Sequence, residues 1–199
     1  DVAERLLPLV EEFARRKQAE QAMDFSDQMA LAAALATRFP DLGQAERDRF
    51  RVVLLDEFQD TSEAQLVLMR ELFAPAGQAP AAVTAVGDPH QSIYGFRGAS
   101  AGQLFAFPHA FPRLETGPGG APRRVNADVS HLTIAWRNEE SILAVANAVA
   151  APLNAHAAAT GGAPVEVRTL RPRPGAGEGV VRVDRFVTAE EEAADVVAR

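Results

Sequence analysis

Two kinds of hydrophobic pattern alternate along the first half of the chain. Residues 1–23 and 24–39 carry apolar positions at helical spacing among charged and small residues, which predicts two helices. RVVLL (51–55) and AAVTAV (81–86) are instead continuously apolar and rich in β-branched residues, which is typical of strands buried on both faces. A helical pattern follows each of these strands. Strands that alternate with helices predict a parallel sheet in an α/β fold.

The pattern changes in the middle of the chain. Residues 112–128 (PRLETGPGGAPRRVNAD) are rich in proline, glycine and arginine, which predicts a linker between two domains. LTIAW (132–136) and the apolar segment 140–153 then predict another strand and helix. Before a last helix, the sequence predicts two further strands, VEVRTL (165–170) and VVRVDRFV (180–187).

Composition narrows the class of protein. A formal net charge of −7 argues against a protein that coats nucleic acid by bulk attraction, so any contact with DNA must be local. The absence of cysteine excludes disulfides and cysteine zinc sites. No apolar run approaches the ~20 residues of a membrane span, and the first residues lack the pattern of a signal peptide. We therefore expect a soluble, cytoplasmic protein that does not bind membranes.

Candidate chemistry falls where the predicted strands end. Asp56 and Glu57 follow the first strand, Asp88 follows the second, and Arg137 follows the third. Ligands of open α/β sheets bind beyond the carboxyl ends of the strands. A carboxylate there can bind Mg²⁺, and a neighbouring glutamate can deprotonate a water, as in the Walker B site of a nucleoside triphosphatase. A lone Asp-Glu pair is more often explained by a strand that reaches solvent or by a helix cap than by a catalytic site.

Three segments together carry a family resemblance. DEFQDTS (56–62), VGDPHQSIYGFRGAS (86–100) and AWRNEESIL (135–143) resemble motifs II, III and IV of the UvrD/Rep family of superfamily I DNA helicases, in the order of that family. MDFSDQMALAA (23–33) resembles the segment upstream of motif II. The resemblance implies RecA-like (P-loop NTPase) parallel sheets flanked by helices. It also implies ATP and Mg²⁺ as cofactors, with single-stranded DNA and duplex junctions as partners.

The resemblance assigns an ATP site to the first domain. Asp56 corresponds to the residue that binds Mg²⁺ through its water shell, and Glu57 to the residue that activates the hydrolytic water. Gln91 corresponds to the sensor of the γ-phosphate. Gln59 and Asp60 correspond to residues that support the nucleotide site.

Further residues correspond to nucleotide and DNA contacts. Arg137 corresponds to the arginine finger, whose planar charge suits a phosphoryl transition state. Trp136 stands where the family usually has a tyrosine that stacks on adenine. Tyr94, Phe96 and Arg97 correspond to residues that touch single-stranded DNA. The alternatives are core packing for the three aromatic residues and a surface ion pair for Arg137.

One element of the family is absent from the chain. The phosphate-binding loop GxxxxGK[ST] needs a lysine, and the only lysine, Lys17, has no glycine nearby. We therefore expect an internal piece of a helicase that is inactive by itself. Its predicted domains are listed in chain order: 1–23, the end of a helical 1B-like subdomain; 24–111, the second half of the first RecA-like (1A) domain; 112–128, a linker; 129–199, the start of the second RecA-like (2A) domain.

Three functional hypotheses remain open at the level of sequence. The first is an ATP-driven translocase of single-stranded DNA in repair or recombination. Within it, the segments 52–73, 85–102 and 171–179 resemble the paired helicase-nuclease subunits of actinobacterial break resection (AdnAB-like), which implies a second such subunit as a partner. The second is a noncatalytic DNA-binding or adaptor module that kept the fold. The third, an unrelated ATPase sharing only Walker B, leaves QSIYGFRGA (91–99) unexplained.

Overall fold

The architecture is mixed α/β with small sheets. The structure is a computed structural model, and it describes residues 2–159 and 167–199. Contacts divide the chain into two compact units, Asp1–Val129 and Ser130–Arg199. In the described part of the chain, no helix has the length and apolar character needed to cross a membrane.

Helices and strands follow one another in both units. The helices are α1 Val2–Ala19, α2 Phe25–Arg38, α3 Pro40–Arg49, α4 Glu63–Phe73, α5 Ala101–Ala110, α6 Glu140–Ala159 and α7 Ala189–Val197. The strands are β1 Val52–Leu55, β2 Ala82–Ala85, β3 Arg113–Thr116, β4 Pro122–Val125, β5 Ile134–Ala135 and β6 Arg171–Pro172. The helices predicted over 1–23 and 24–39 are confirmed as α1 and α2. Among the described residues, β1–β2 and β5–β6 are parallel pairs, and β3–β4 is antiparallel.

The first parallel pair is covered on one face. Leu55, Val83 and Ala85 pack against the core, whereas Val52 is 63% and Leu54 is 76% exposed. The prediction that these strands are buried on both faces is therefore wrong for this structure. The reason is that side chains alternate across a strand, and no described layer covers the second face.

An aromatic cluster forms the core beneath this sheet. Phe58, directly after β1, is 2% exposed and makes edge-to-face contacts with Phe107 and Phe111 of the α5 region, at ring-centroid distances of 5.2 and 6.1 Å. Phe107 and Phe111 stack at 4.8 Å. This cluster attaches the turn after β1 to the helix that follows the loop after β2.

Helices α2 and α3 pack on α4, the helix that follows the turn after β1. Asp24 begins α2 with a capping box, and Lys17 forms ion pairs with Asp24 and Asp27 at 2.9 and 2.6 Å. Ser62 begins α4 with a second capping box, in which its hydroxyl accepts from the Gln65 N–H. These caps satisfy helix N–H groups that would otherwise lack partners.

The segment predicted as a linker forms a hairpin. Strands β3 and β4 pair from Arg113 opposite Val125 to Thr116 opposite Pro122. The Arg124 guanidinium donates to the carbonyls of Ala74 and Pro75 at 2.9 and 2.7 Å, which holds the hairpin on the first unit. The prolines and glycines of this segment therefore lie in and beside the turn between the two strands. Residues 113–125 form regular structure.

The second unit is built around α6. Asn147 of α6 donates to the Leu170 carbonyl at 2.9 Å and accepts from the Leu170 N–H at 3.1 Å, and Leu143 is 3% exposed. Residues 165 and 166 of the predicted strand 165–170 lie outside the described residues. Residues 167–170 form no strand, the side chain of Asn147 binds both backbone groups of Leu170, and the pairing with β5 falls on β6.

The strand predicted over 180–187 is wrong. Residues 180–186 form no strand, and Val180, Val183 and Val187 are 81%, 91% and 93% exposed. A strand needs a hydrogen-bonded neighbour, and no described segment pairs with this one. Alternating hydrophobicity alone was therefore insufficient to predict it.

We expect Phe58→Leu to lower the free energy of unfolding by about 1–2 kcal/mol, because it removes two edge-to-face contacts worth about 0.5–1.5 kcal/mol each. Phe96→Leu is the matched control, since Phe96 is 80% exposed; surface substitutions usually change stability by less than about 0.5 kcal/mol. Urea denaturation measures both. Equal losses in the two variants would contradict the assignment of Phe58 to the core.

Candidate functional site

Two exposed carboxylates follow β1 in a strained turn. Asp56 accepts a hydrogen bond from the Glu57 N–H at its Oδ1 atom, at 2.9 Å. Glu57 has φ +49° and ψ +42°, the left-handed region, which costs a non-glycine residue about 1–2 kcal/mol. The unusual conformation turns the chain so that Phe58 enters the core while the Glu57 carboxylate stays exposed. Backbone strain of this kind clusters at functional sites.

Gln59 connects this turn to the loop after β2. Its side chain is 1% exposed, and its Nε2 donates to Oε2 of Glu57 at 2.7 Å. Its Oε1 accepts from the Asp88 N–H at 3.1 Å. One buried carboxamide therefore fixes the orientation of the Glu57 carboxylate relative to the end of β2.

The backbone of the two turns also meets. The Phe58 N–H donates to the Val86 carbonyl at 3.0 Å, and the Ser92 hydroxyl donates to the Gln59 carbonyl at 3.3 Å. Gly87 lies so close that a Cβ atom there would stand 2.7 Å from Oε1 of Gln59. The close approach explains why glycine occupies this position.

Gln91 is held by an aspartate at the end of β2. Its Nε2 donates to Oδ2 of Asp88 at 2.8 Å, and the other Asp88 oxygen accepts from the His90 N–H at 2.9 Å. Asp88 begins the short 3₁₀ turn Pro89–Gln91. The family resemblance implies no role for Asp88, although an aspartate directly before a proline is a recognisable turn signal.

Asp60 carries a buried oxygen without a partner. Its Oδ1, like Oε1 of Gln103, has no hydrogen-bond partner among the described residues. Gln103, which is 7% exposed, donates to Glu63 at 3.2 Å. A buried acceptor of this kind requires a hydrogen-bond donor. In the nucleotide-supporting role predicted for Asp60, the ligand or its water shell would supply that donor.

Three side chains that follow Gln91 in the loop after β2 form an exposed cluster. The rings of Tyr94 and Phe96 lie 5.9 Å apart, and the Arg97 guanidinium lies 5.4 and 5.6 Å from their centroids. Tyr94 is 37% and Phe96 is 80% exposed. The alternative that these aromatic residues pack in the core is therefore excluded in this structure. An exposed aromatic and cationic surface is able to stack on bases.

Trp136 and Arg137 lie in the second unit, directly after β5. Trp136 is 69% exposed, which excludes the core-packing alternative for it as well. Arg137 is exposed and forms no ion pair with the residues that the structure describes. Both side chains are thus accessible to a ligand.

The donor set fits Mg²⁺ only together with a nucleotide. No group of three or more histidine, aspartate or glutamate side chains among the described residues could hold a metal ion. Mg²⁺ at phosphate sites is bound by one or two carboxylates, phosphate oxygens and water. Asp56 meets that need with its Oδ2, which accepts no hydrogen bond from the residues that the structure describes. The sequence itself contributes no GxxxxGK[ST] loop for the phosphates.

The fold and the site define a mixed α/β protein with acidic residues at the end of a parallel strand. Residues 2–112 match the family model described as the UvrD/REP helicase N-terminal domain. The match covers more than half of the chain, so the chain belongs to the UvrD/REP helicase family.

Relatives with curated names agree with this family. The chain is 36% identical over 154 residues to "ATP-dependent DNA helicase UvrD1" of Mycobacterium tuberculosis, which covers 76% of the chain and 18% of the relative. It is 35% identical over 127 residues to "DNA helicase II" of Escherichia coli, covering 64% and 15%. It is 31% identical over 104 residues to "ATP-dependent DNA helicase PcrA" of Staphylococcus aureus, covering 52% and 14%. The chain thus spans less than a fifth of the length of these relatives.

We expect Gly87→Ala to destabilise the first unit by about 1–3 kcal/mol, the usual cost of overpacking, because the added methyl must displace Gln59. Gly95→Ala is the matched control, since a Cβ atom there meets nothing within 4 Å. Urea denaturation gives the stability of each variant, and hydrogen exchange of the Asp88 N–H reports its bond to Gln59. Unchanged protection of that N–H in Gly87→Ala would show that the Gln59 bridge does not depend on this glycine.

Proposed function

We propose that the chain is part of an ATP-dependent DNA helicase or translocase, which couples Mg-ATP hydrolysis to movement on single-stranded DNA in repair or recombination. The observation that carries the proposal is the Gln59 bridge, because it joins the Glu57 carboxylate to the loop after β2. The family membership of the chain and the names of its relatives support the same function.

The proposal includes a fold and a domain plan. Residues 24–111 and 129–199 would be parts of two RecA-like domains, joined by 112–128, and residues 1–23 would end a helical 1B-like subdomain. The parallel pairs β1–β2 and β5–β6 support this plan. The order of the three motifs along the chain supports it as well.

Hydrolysis in this proposal relies on positioned side chains. Mg²⁺, when bound with ATP, supplies positive charge to the transferring phosphoryl group. Asp56 would hold that ion through its water shell. Glu57 orients the attacking water and accepts its proton, and the Gln59 donor at its Oε2 holds the carboxylate in place. Gln59 and Asp60 support the site.

Two further side chains act on the phosphate, and one acts on the base of the nucleotide. Gln91, oriented by Asp88, hydrogen-bonds the γ-phosphate. Arg137 stabilises charge on the phosphoryl group in the transition state as an arginine finger. Trp136 stacks on adenine. The exposure of Trp136 and Arg137, and the absence of an ion pair on Arg137 among the described residues, support these roles.

DNA contact is assigned to the exposed turn after β2. Tyr94 and Phe96 present aromatic faces, and Arg97 adds a cation beside both rings. Stacking of this kind tolerates any base sequence. The net charge of −7 is consistent with such a local contact.

Two finer assignments stay predictions. The helicase-nuclease subtype, with a second subunit as its partner, predicts a nuclease domain in the reading frame C-terminal to this chain. The alternative, an adaptor without activity, keeps the fold and has no need of the GxxxxGK[ST] sequence. The reading frame upstream of Asp1 discriminates between the helicase and the adaptor, because that motif is required for the helicase and is dispensable for the adaptor.

We expect Glu57→Gln and Arg137→Ala to lower DNA-stimulated ATP turnover of the parent protein by about 10²-fold or more, with nucleotide binding retained, because both groups act on the transition state. Glu20→Gln and Arg168→Ala are matched controls at exposed positions. The isolated 199-residue chain should hydrolyse no ATP. Turnover by the isolated chain would refute its assignment as an incomplete site, and an inactive wild-type parent would favour the adaptor.

We expect Phe96→Ala to weaken binding of single-stranded DNA by about 1–3 kcal/mol, the contribution of one stacked base. Phe25→Ala is the control, because Phe25 is 85% exposed and lies at the start of α2. Fluorescence anisotropy of a labelled poly-dT oligonucleotide measures the affinity. Equal affinities of the Phe96 and Phe25 variants would remove Phe96 from the DNA contact.

A further inference from the structure

A glutamate two residues after Arg137 joins two distant segments of the second unit. Oε1 of Glu139 accepts from the Arg173 guanidinium at 2.7 Å, and its Oε2 accepts from the Gly177 N–H. The Glu139 side chain is 31% exposed and that of Arg173 is 28% exposed. Both carboxylate oxygens are therefore engaged by the segment 173–177.

The same segment caps the start of α6. The N–H groups of Glu140 and Ser141 donate to the carbonyls of Gly177 and Glu178 at 3.1 and 2.8 Å. A helix start leaves such N–H groups without intrahelical partners, so these bonds fix the segment against α6. A Cβ atom on Gly179 would lie 2.8 Å from Cβ of Glu139, so the two backbones approach as closely as glycine allows.

The turn that carries Trp136 and Arg137 is consequently held at both ends. On one side, β5 pairs with β6, with Ala135 opposite Pro172. On the other side, Glu139 holds the segment that leaves β6. Residues 136–138 span the gap between these two attachments and form no hydrogen bond of their own among the described residues.

We propose that Glu139 is a positioning residue. Its hydrogen bonds to Arg173 and Gly177, together called the clasp, set the orientation of Trp136 and Arg137. The proposal deepens the proposed function and rests on it for the role of Arg137. Glu139 touches neither nucleotide nor phosphate in this proposal. It acts only through the turn that it anchors.

The protonation state of Glu139 suits this task. The Arg173 guanidinium, and then the Gly177 N–H, hold the pKa of the Glu139 carboxyl below its usual value. The charged groups on the neighbouring elements are Arg173 and Glu178 of the clasped segment and Glu140 of α6. Glu139 is therefore an anion that accepts two donors at neutral pH, and glutamine can replace only one of its acceptors.

Trp136, the only tryptophan, reports directly on the turn. In the 199-residue chain, we expect Glu139→Gln to lower the steady-state fluorescence anisotropy of Trp136, because the turn gains mobility. Glu140→Gln, an exposed neighbour of the same chemistry, should leave it unchanged. Gly179→Ala is a second variant that pushes the same segment away without touching a charge. Far-UV circular dichroism verifies that each variant is folded.

In the parent protein, Glu139→Gln should lower kcat for ATP hydrolysis by about tenfold with little change in nucleotide affinity, because a misplaced catalytic group costs rate. In an Arg137→Ala background the same change should have no further effect. An unchanged Trp136 anisotropy in both clasp variants, or a loss of kcat that is additive with Arg137→Ala, overturns the proposal. If Arg137→Ala itself leaves kcat unchanged, the arginine-finger assignment fails, and the anisotropy alone decides whether the clasp exists.

Discussion

The buried carboxamide of Gln59 is the contact on which the candidate site depends. It is 1% exposed, and both of its polar ends are paired, with the Glu57 carboxylate and with the Asp88 N–H. A buried amide that loses a partner costs about 1–3 kcal/mol, so both attachments are strongly favoured together. The position of the acidic turn after β1 is thereby tied to the loop after β2, which carries Gln91 and the exposed aromatic residues.

Three consecutive residues each contribute to this contact. Glu57 takes a left-handed conformation that turns the chain, Phe58 fills the aromatic core, and Gln59 bridges to the neighbouring turn. The strain at Glu57 persists because the burial of Phe58 and the bonds of Gln59 over-determine the path of the backbone. The carboxylate that is proposed to activate water is consequently oriented by the core of the unit.

The second unit uses the same physical solution with different residues. Its β5–β6 pair has two residues per strand, and so short a pair contributes little stability by itself. Hydrogen bonds between side chains and backbone therefore hold the segments of this unit together, between Asn147 and Leu170 and between Glu139 and Gly177. In both units, the hydrogen bonds of one polar side chain determine the course of a loop beside an exposed candidate residue.

The sequence by itself determined the local features. The helices 1–23 and 24–39, the strands at 51–55 and 81–86, and the placement of Asp56 and Glu57 at a strand end follow from backbone preferences and side-chain periodicity over a few residues. The order of the three motifs indicated the family, which the match over residues 2–112 confirmed.

Only the tertiary structure decided which faces are buried and which distant groups meet. The exposed face of β1, the hairpin in residues 113–125 and the unpaired segment 180–186 depend on whether a neighbour is present. The bonds from Gln59 to Asp88 and from Glu139 to Arg173 and Gly177 join residues separated by 29 to 38 positions. Burial and hydrogen bonding at such separations depend on partners that local preferences do not specify, because one segment can satisfy its own periodicity whether or not another lies against it.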